Sequence, residues 1–226
     1  MASPRDLTRT AALPAALLVA ALLVAGVALA GCGSGSDAEG TTTTKADQIQ
    51  GIVRDEPLQV GDLSLPEVAA GDTETPFAFR ADDGKLLFVA FGYTNCPDVC
   101  PTTLYDIKKA RKQLGADGDR VQVAFATVDP ERDTADVMTQ YLGSFATDGH
   151  PLRTDDPDQL HAAQDGFGVT SSVVKNADGS TDVSHSARSF VVDDQGDVVV
   201  EWSFGTGADV MASDLELLLA QQDGAS

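Results

Sequence analysis

The sequence predicts an α/β fold in which a central mixed sheet is flanked by helices on both faces. Three observations carry this. Apolar stretches of strand length alternate with segments of helical periodicity from about residue 60 onward. One of these stretches, Leu86-Leu87-Phe88-Val89-Ala90-Phe91, is apolar without interruption, as a strand covered on both faces must be. Two cysteines, Cys96 and Cys100, follow that run and precede a helical pattern, so both thiols stand where a strand passes into a helix.

Taken in order, the chain opens with Arg5 and Arg9 and then an almost uniform Ala, Leu and Val run over 11–30. A basic start, an apolar stretch and small residues at its end make a secretory signal, although the run is also long enough to span a bilayer. It ends in Leu29-Ala30-Gly31-Cys32, which resembles the lipobox of bacterial lipoproteins. The resemblance implies cleavage before Cys32 and lipidation of its sulfur. Residues 1–31 are thus expected to be a lipoprotein signal peptide, 32–56 the lipidated cysteine and a flexible Gly, Ser and Thr-rich tether, and 57–226 the folded domain. Within the tether, 49–57 could instead be a first pairing segment. Either the lipid or an uncleaved helix would hold the domain against the membrane, outside the cytoplasm.

Alternation over 60–66 and 75–80 predicts two half-buried strands that form an N-terminal hairpin region ahead of the cysteines. Residues 69–72 read as a loop, and Asp83-Gly84 is a strong hairpin signal. After the strand over 86–91, Leu104, Ile107, Ala110 and Leu114 recur at helical spacing, with Gly115 as the stop. A strand is expected over 121–128 and an amphipathic helix over 134–145, with Val137, Met138, Tyr141, Leu142 and Phe145 inward. A short strand or connector over 151–154 leads to a helix over 158–167, capped from Asp156 or Asp158. The stretch 171–182, which has no aromatic residue, reads as a loop; a hairpin over 187–204 and a closing helix over 210–221 complete the domain. With the thiols at a strand-to-helix junction, the layered sheet is expected to be thioredoxin-like.

Composition narrows the function. A net charge of −20 excludes a nucleic-acid partner, which would require a basic surface to displace counterions from phosphate. Three cysteines exclude a multi-disulfide scaffold. If Cys32 carries lipid, Cys96 and Cys100 have only each other or a metal as partners. In a helix, positions four apart share one face, so both sulfurs can converge on one ion. The helix N-terminus is expected to favour thiolate and lower the cysteine pKa. Two thiolates select soft ions such as Cu(I) or Zn(II) and are too few for a zinc site or cluster without further ligands. Three histidines offer themselves. His150, in a loop sequence, and His161, on a helix, read as surface residues; His185 lies at a strand entrance beside a loop that can fold back onto the cysteines. The same pair could instead perform thiol–disulfide exchange, and spacing alone leaves metal and redox readings open.

Three motifs then carry a resemblance. Gly92-Tyr93-Thr94-x-Cys96-Pro97-Asp98-Val99-Cys100-Pro101, Val128-Asp129-Pro130-Glu131-Arg132-Asp133-Thr134 and Val183-Ser184-His185-Ser186, in that order, resemble the signature blocks of the Sco/SenC copper-chaperone family. The resemblance implies a thioredoxin-like domain binding copper, Cu(I) in preference to Cu(II), through Cys96, Cys100 and His185. It further implies delivery to the binuclear centre of cytochrome c oxidase subunit II at the outer face of the cytoplasmic membrane. Another copper chaperone or a thioredoxin-like reductant would be a further partner. The competing function is an oxidoreductase that keeps the target's cysteines reduced, with Cys96 and Cys100 as the redox pair; a peroxidase would need an Arg that the cysteine motif lacks. Asp98 and Asp129 are candidates to act beside the ligands. Asp129 and Asp133 could order the loop near the site, but turn and cap chemistry around Pro130 is the plainer account of both.

Overall fold

The computed structural model of the protein describes residues 48–69 and 73–225. They belong to one unit, Thr42–Ser226. The expected signal peptide, Cys32, most of the expected tether and the loop residues 70–72 lie outside the described residues. No helix among the described residues is long and apolar enough to cross a membrane.

Nine strands and four helices follow one another as β1 (Ser64–Ala69), β2 (Thr73–Ala78), β3 (Leu86–Gly92), α1 (Val99–Gln113), β4 (Val121–Thr127), α2 (Ala135–Gly143), β5 (His150–Leu152), α3 (Pro157–Phe167), β6 (Ser171–Lys175), β7 (Thr181–His185), β8 (Arg188–Val192), β9 (Val198–Ser203) and α4 (Ala208–Ala225) among the described residues. Seven strands form one sheet in the order β2-β1-β5-β4-β3-β8-β9. β3–β4 and β4–β5 are parallel and the other pairs antiparallel, so the sheet is mixed as expected. β3 is buried along its whole length. Its alternate residues face opposite layers: Leu86, Phe88 and Ala90 pack with Ile107 of α1, Met138 of α2 and Leu215 of α4. Leu87, Val89 and Phe91 pack with Phe79 and with Leu160 and Phe167 of α3. Each such buried side chain contributes roughly 1.5–3 kcal/mol, which fixes the register of β3 and hence the place where its C-terminal end releases the chain.

The helices end where their residues dictate. Asp156 accepts from the amides of Asp158 and Gln159 to cap α3, and Gly168, at φ 61°, closes it in the left-handed conformation. Thr134 caps α2 by accepting from Val137 N. On α2, Ala135, Met138 and Leu142 face the core, but Val137 is exposed, because it lies about 100° round the helix from Met138 and about 140° from Leu142.

Three expectations about connectivity change. The turn at Asp83-Gly84 exists, with Gly84 at φ 69° and Lys85 N donating to Asp82 O at 2.9 Å. The strands it joins do not pair, however: β2 is the sheet edge and β3 lies beyond β1, β5 and β4. Phe79 and Ala81 bond instead to Leu63 O and Asp193 O, so the chain runs across to the sheet centre before turning. The N-terminal hairpin is β1–β2, and β1 starts at Ser64 because Val60 and Gly61 are engaged by Gly196 O. Second, of the two readings of 49–57, tether or first pairing segment, the pairing at Ile52 favours the latter. Ile52 exchanges backbone bonds with Glu201 of β9, and the buried Asp214 carboxylate accepts from Gln50 N (2.7 Å), Gly51 N (2.9 Å) and Trp202 Nε1 (2.9 Å). A side chain at Gly51 would collide with Val200 and Trp202, so only glycine admits this close approach. Third, 171–182 is no loop. β6 and β7 form a separate antiparallel hairpin, with His185 opposite Ser171.

Candidate metal centre

β3 releases the chain at Gly92, and the motif loop turns it into α1. Gly92 is required by packing: a Cβ there would lie 2.6 Å from Cys100 Sγ and 2.9 Å from the Phe125 ring. Asp98 is the N-cap residue of α1, so Cys100 falls in its first turn and Cys96 in the loop before it. Cys96 Sγ accepts from Cys100 N at 3.3 Å. Both cysteines are free thiols, Cys100 buried and Cys96 half-buried.

His185 ends β7 and reaches the same point from the other side. Its Nδ1 lies 3.0 Å from Ser186 O, a geometry in which Nδ1–H donates to the carbonyl and Nε2 is left bare. That Nε2 lies 3.6 Å from Cys100 Sγ. The two sulfurs and an imidazole nitrogen all fall within 4.8 Å of one another. Bonds of about 2.3 Å to sulfur and about 2.0 Å to nitrogen at 120° would separate the two ligands by about 3.7 Å, so the pair is already at ligand spacing. The support that no aromatic residue of 171–182 could give comes from Tyr93, whose ring meets the His185 ring edge-on at 6.1 Å. Arg132 lies over the Tyr93 ring at 5.8 Å. Thr170 and Ser186 bond to each other at the hairpin base, and Gln164 of α3 donates to Ser171 Oγ at 2.7 Å.

Electrostatics overturns one expectation. The helix N-terminus does not lower the Cys100 pKa; burial pushes its thiol up, and the neighbouring Cys96 sulfur adds to this. Desolvation of the thiolate outweighs the backbone hydrogen bond at Tyr93 that favours it. Burial likewise pushes His185 below the usual imidazole range, against a smaller opposing effect of the Ser186 carbonyl. The imidazole is therefore neutral at neutral pH, the form that binds metals.

The other two histidines stay away from this cluster. His150 is not a loop residue but the first residue of β5, half-buried, stacked on Phe77 at 4.5 Å and 2.9 Å from Glu67 Oε1. His161 is exposed on α3. Asp98 is exposed, and its carboxylate accepts from Thr102 Oγ1 at 3.3 Å. Asp129 is buried and ion-paired with Arg132. The carboxylate that organises the loop is Asp133, fully buried. It accepts from Thr94 N (3.0 Å), Thr94 Oγ1 (2.5 Å) and Thr127 Oγ1 (2.6 Å), tying the segment before Cys96 to the end of β4. The sequence offers Asp133 two readings, ordering the loop near the site and turn chemistry around Pro130, and these bonds favour the first. Thr94 follows β3, Thr127 ends β4 and Asp133 precedes α2, and the parallel pairing of β3 with β4 brings them together.

Comparison with known proteins agrees with this arrangement. A family model described as SCO1/SenC matches residues 70–220. The structure of Bradyrhizobium japonicum ScoI with copper bound is 31 % identical to this chain, with a TM-score of 0.58, over 68 % of this chain and 96 % of that one. Apo Sco1 from Thermus thermophilus is 29 % identical, with a TM-score of 0.60, over 79 % of this chain and 98 % of that one. A SCO2-like protein of Rickettsia prowazekii is 33 % identical over 118 residues, 50 % of this chain and 56 % of its own length. The chain spans between half and two thirds of the length of the first curated relatives it matches. With the family model covering most of the chain and three sequence motifs meeting around one cluster of two thiols and an imidazole, this chain belongs to the SCO1/SenC family.

Proposed function

We propose that this protein binds copper through Cys96, Cys100 and His185 and passes it to another protein. The observation that carries the reading is the convergence of two thiol sulfurs and a bare imidazole nitrogen within 4.8 Å. Two soft sulfurs and one neutral nitrogen suit Cu(I), a soft ion that accepts low coordination, and leave the four-fold demand of zinc unmet. The copper-bound relative supports copper as the metal. Loading expels the thiol protons from Cys96 and Cys100, while His185 brings none. A three-ligand site with Cys96 only half-buried can be approached by an incoming donor or acceptor group, as transfer requires.

Cu(I) competition on the reduced full-length chain tests this. Wild type is expected to bind close to one equivalent. Cys96→Ser and Cys100→Ser should abolish tight binding, and His185→Ala should weaken it. Tight binding that survives His185→Ala would overturn the three-ligand site.

The acceptor in this proposal is the binuclear copper centre of cytochrome c oxidase subunit II. Cys32 is the lipid attachment site that holds the domain at the outer face of the cytoplasmic membrane, with a tether ending near residue 47. Acyl chains contribute about 0.8 kcal/mol per buried CH₂, so two or more long chains would anchor it firmly. Loss of membrane association in Cys32→Ser, and transfer of copper to apo subunit II on mixing, read by metal analysis of the separated proteins, are the expected results.

One observation favours a second activity of the same pair. A half-buried Cys96 in front of a buried Cys100 is the arrangement of an attacking and a resolving thiol. Turnover of a disulfide substrate that needs both cysteines but not His185 would identify that activity.

A further inference from the structure

The turn that carries Asp133 is itself held from beneath. Arg153 follows the last residue of β5, and its side chain is only 16 % exposed. Its Nε donates to Asp133 O (2.9 Å) and to Pro130 O (3.2 Å), and its Nη2 donates to Pro130 O (3.0 Å). The outer edge of the guanidinium is paired with the Asp155 carboxylate at 3.0 and 2.7 Å. The backbone below is fixed as well, with Arg153 N bonded to Pro66 O of β1 at 2.9 Å. One planar group thus grips the first and last carbonyls of the 130–133 turn. The carboxylate of the residue at the end of that turn holds Thr94, two residues before Cys96.

We infer that Arg153 is a positioning residue for the Cys96 side of the metal centre, acting through the 130–133 turn and the Asp133–Thr94 bonds. This rests on the copper reading above only for its effect on metal. The argument is geometric. Thr94 N–H and Oγ1–H meet both oxygens of the Asp133 carboxylate, so a shift of the turn moves the loop that carries Cys96 while Cys100 stays fixed by its helix and its burial. Lysine cannot substitute: a guanidinium presents a rigid planar fork of donors, whereas an ammonium is a point charge on a flexible stem and cannot grip two carbonyls and a carboxylate in that plane.

The experiment uses the full-length chain with Arg153→Met and Arg153→Lys. In the metal-free reduced protein, exchange of the Thr94 amide is followed by NMR beside that of Val191 in β8. Arg153→Met should speed Thr94 exchange at least tenfold and leave Val191 unchanged, and competition should show Cu(I) held about tenfold more weakly. Arg153→Lys should recover only part of both effects. Thr94 exchange and Cu(I) affinity at wild-type values in Arg153→Met would overturn the inference. So would an equal acceleration at Thr94 and Val191, which marks a general loss of stability. If wild type held no Cu(I), the copper reading would fail, and Thr94 exchange alone would still decide what Arg153 does.

Discussion

The Cys100 thiol sits between two opposing influences, a buried position that penalises its charge and a backbone hydrogen bond at Tyr93 that favours it, and burial wins. The consequence is a pH dependence with a definite sign. Because the thiol is protonated across the neutral range and must lose its proton to bind, apparent Cu(I) affinity should rise with pH between 6.5 and 8 by at least about tenfold per unit. His185 does not oppose this, since its folded pKa lies below the ordinary value. The same depression affects the metal-free fold. As pH falls below about 6.5 the unfolded chain takes up the proton first, so stability declines until the folded pKa is passed. Urea titrations of the reduced protein at pH 7 and pH 5 should show the lower midpoint at pH 5, and His185→Gln should reduce that difference. Tyr141 gives a second residue-scale prediction. Its hydroxyl is buried with no hydrogen-bond partner among the described residues, while its ring packs on Phe125 at 5.6 Å and Phe145 at 5.4 Å. Removing an unsatisfied buried hydroxyl while keeping the ring should stabilise by about 1 kcal/mol. Tyr141→Phe is therefore expected to raise the urea midpoint with m unchanged; a lower midpoint would mean that the hydroxyl is satisfied.

At the scale of elements, the centre joins a rigid half to a less protected one. Cys100 is fixed by α1 against the buried strand β3, whereas His185 arrives on β6–β7, a two-stranded ribbon outside the main sheet with Val174 exposed. Two-stranded ribbons have little independent stability. Its link to the 129–133 turn, Lys175 to Glu131, joins two largely exposed groups and is weak and salt-sensitive. Amides of Val173 and Val183 should therefore exchange through local opening, orders of magnitude faster than those of Phe88 and Val89 in β3, and Cu(I) should narrow the gap by bringing His185 into the ligand set. Equal protection of the two regions in the metal-free protein would contradict this. The rigid half is tight enough that Gly92→Ala should cost about 1–3 kcal/mol and weaken Cu(I) binding together, because the new methyl must displace either Cys100 Sγ or the Phe125 ring.

Over the whole molecule, the N-terminal segment is stitched to the last strand and helix by Asp214. This fully buried carboxylate gathers two main-chain amides and the Trp202 indole. Hydrogen bonds to a charged group are worth about 1.5–3 kcal/mol, and losing the acceptor strands the buried Trp202 indole N–H and releases two main-chain amides at the surface. Asp214→Ala is expected to lower stability by about 3 kcal/mol in urea titration and to open 48–56 to limited proteolysis. If that segment stayed protected, Ile52 and its bonds to Glu201 would have to hold it without the clamp.

Legibility followed from how local each feature is. The strand over 86–91, the helix behind the cysteines and the α3 cap were readable because an unbroken apolar run, a helical repeat and an Asp-Pro start are written in neighbouring residues. β6 and β7 were missed because neither buries a residue fully: β6 is exposed over most of its length, and β7 alternates only between half-buried and exposed positions, a pattern its mostly polar residues do not signal. The hairpin expected at Asp83-Gly84 failed because a turn sequence fixes a reversal of direction, not which strands lie on either side of it. By itself the sequence determined the layered α/β class, the two thiols at a strand-to-helix junction and, through its motifs, the candidate His185. Only the tertiary structure decided that the imidazole nitrogen meets the sulfur at 3.6 Å, that Asp133 rather than Asp129 holds the cysteine loop, and that burial pushes the Cys100 thiol up. These depend on distance and solvent exclusion between segments far apart in the chain, quantities that no local pattern of residues encodes.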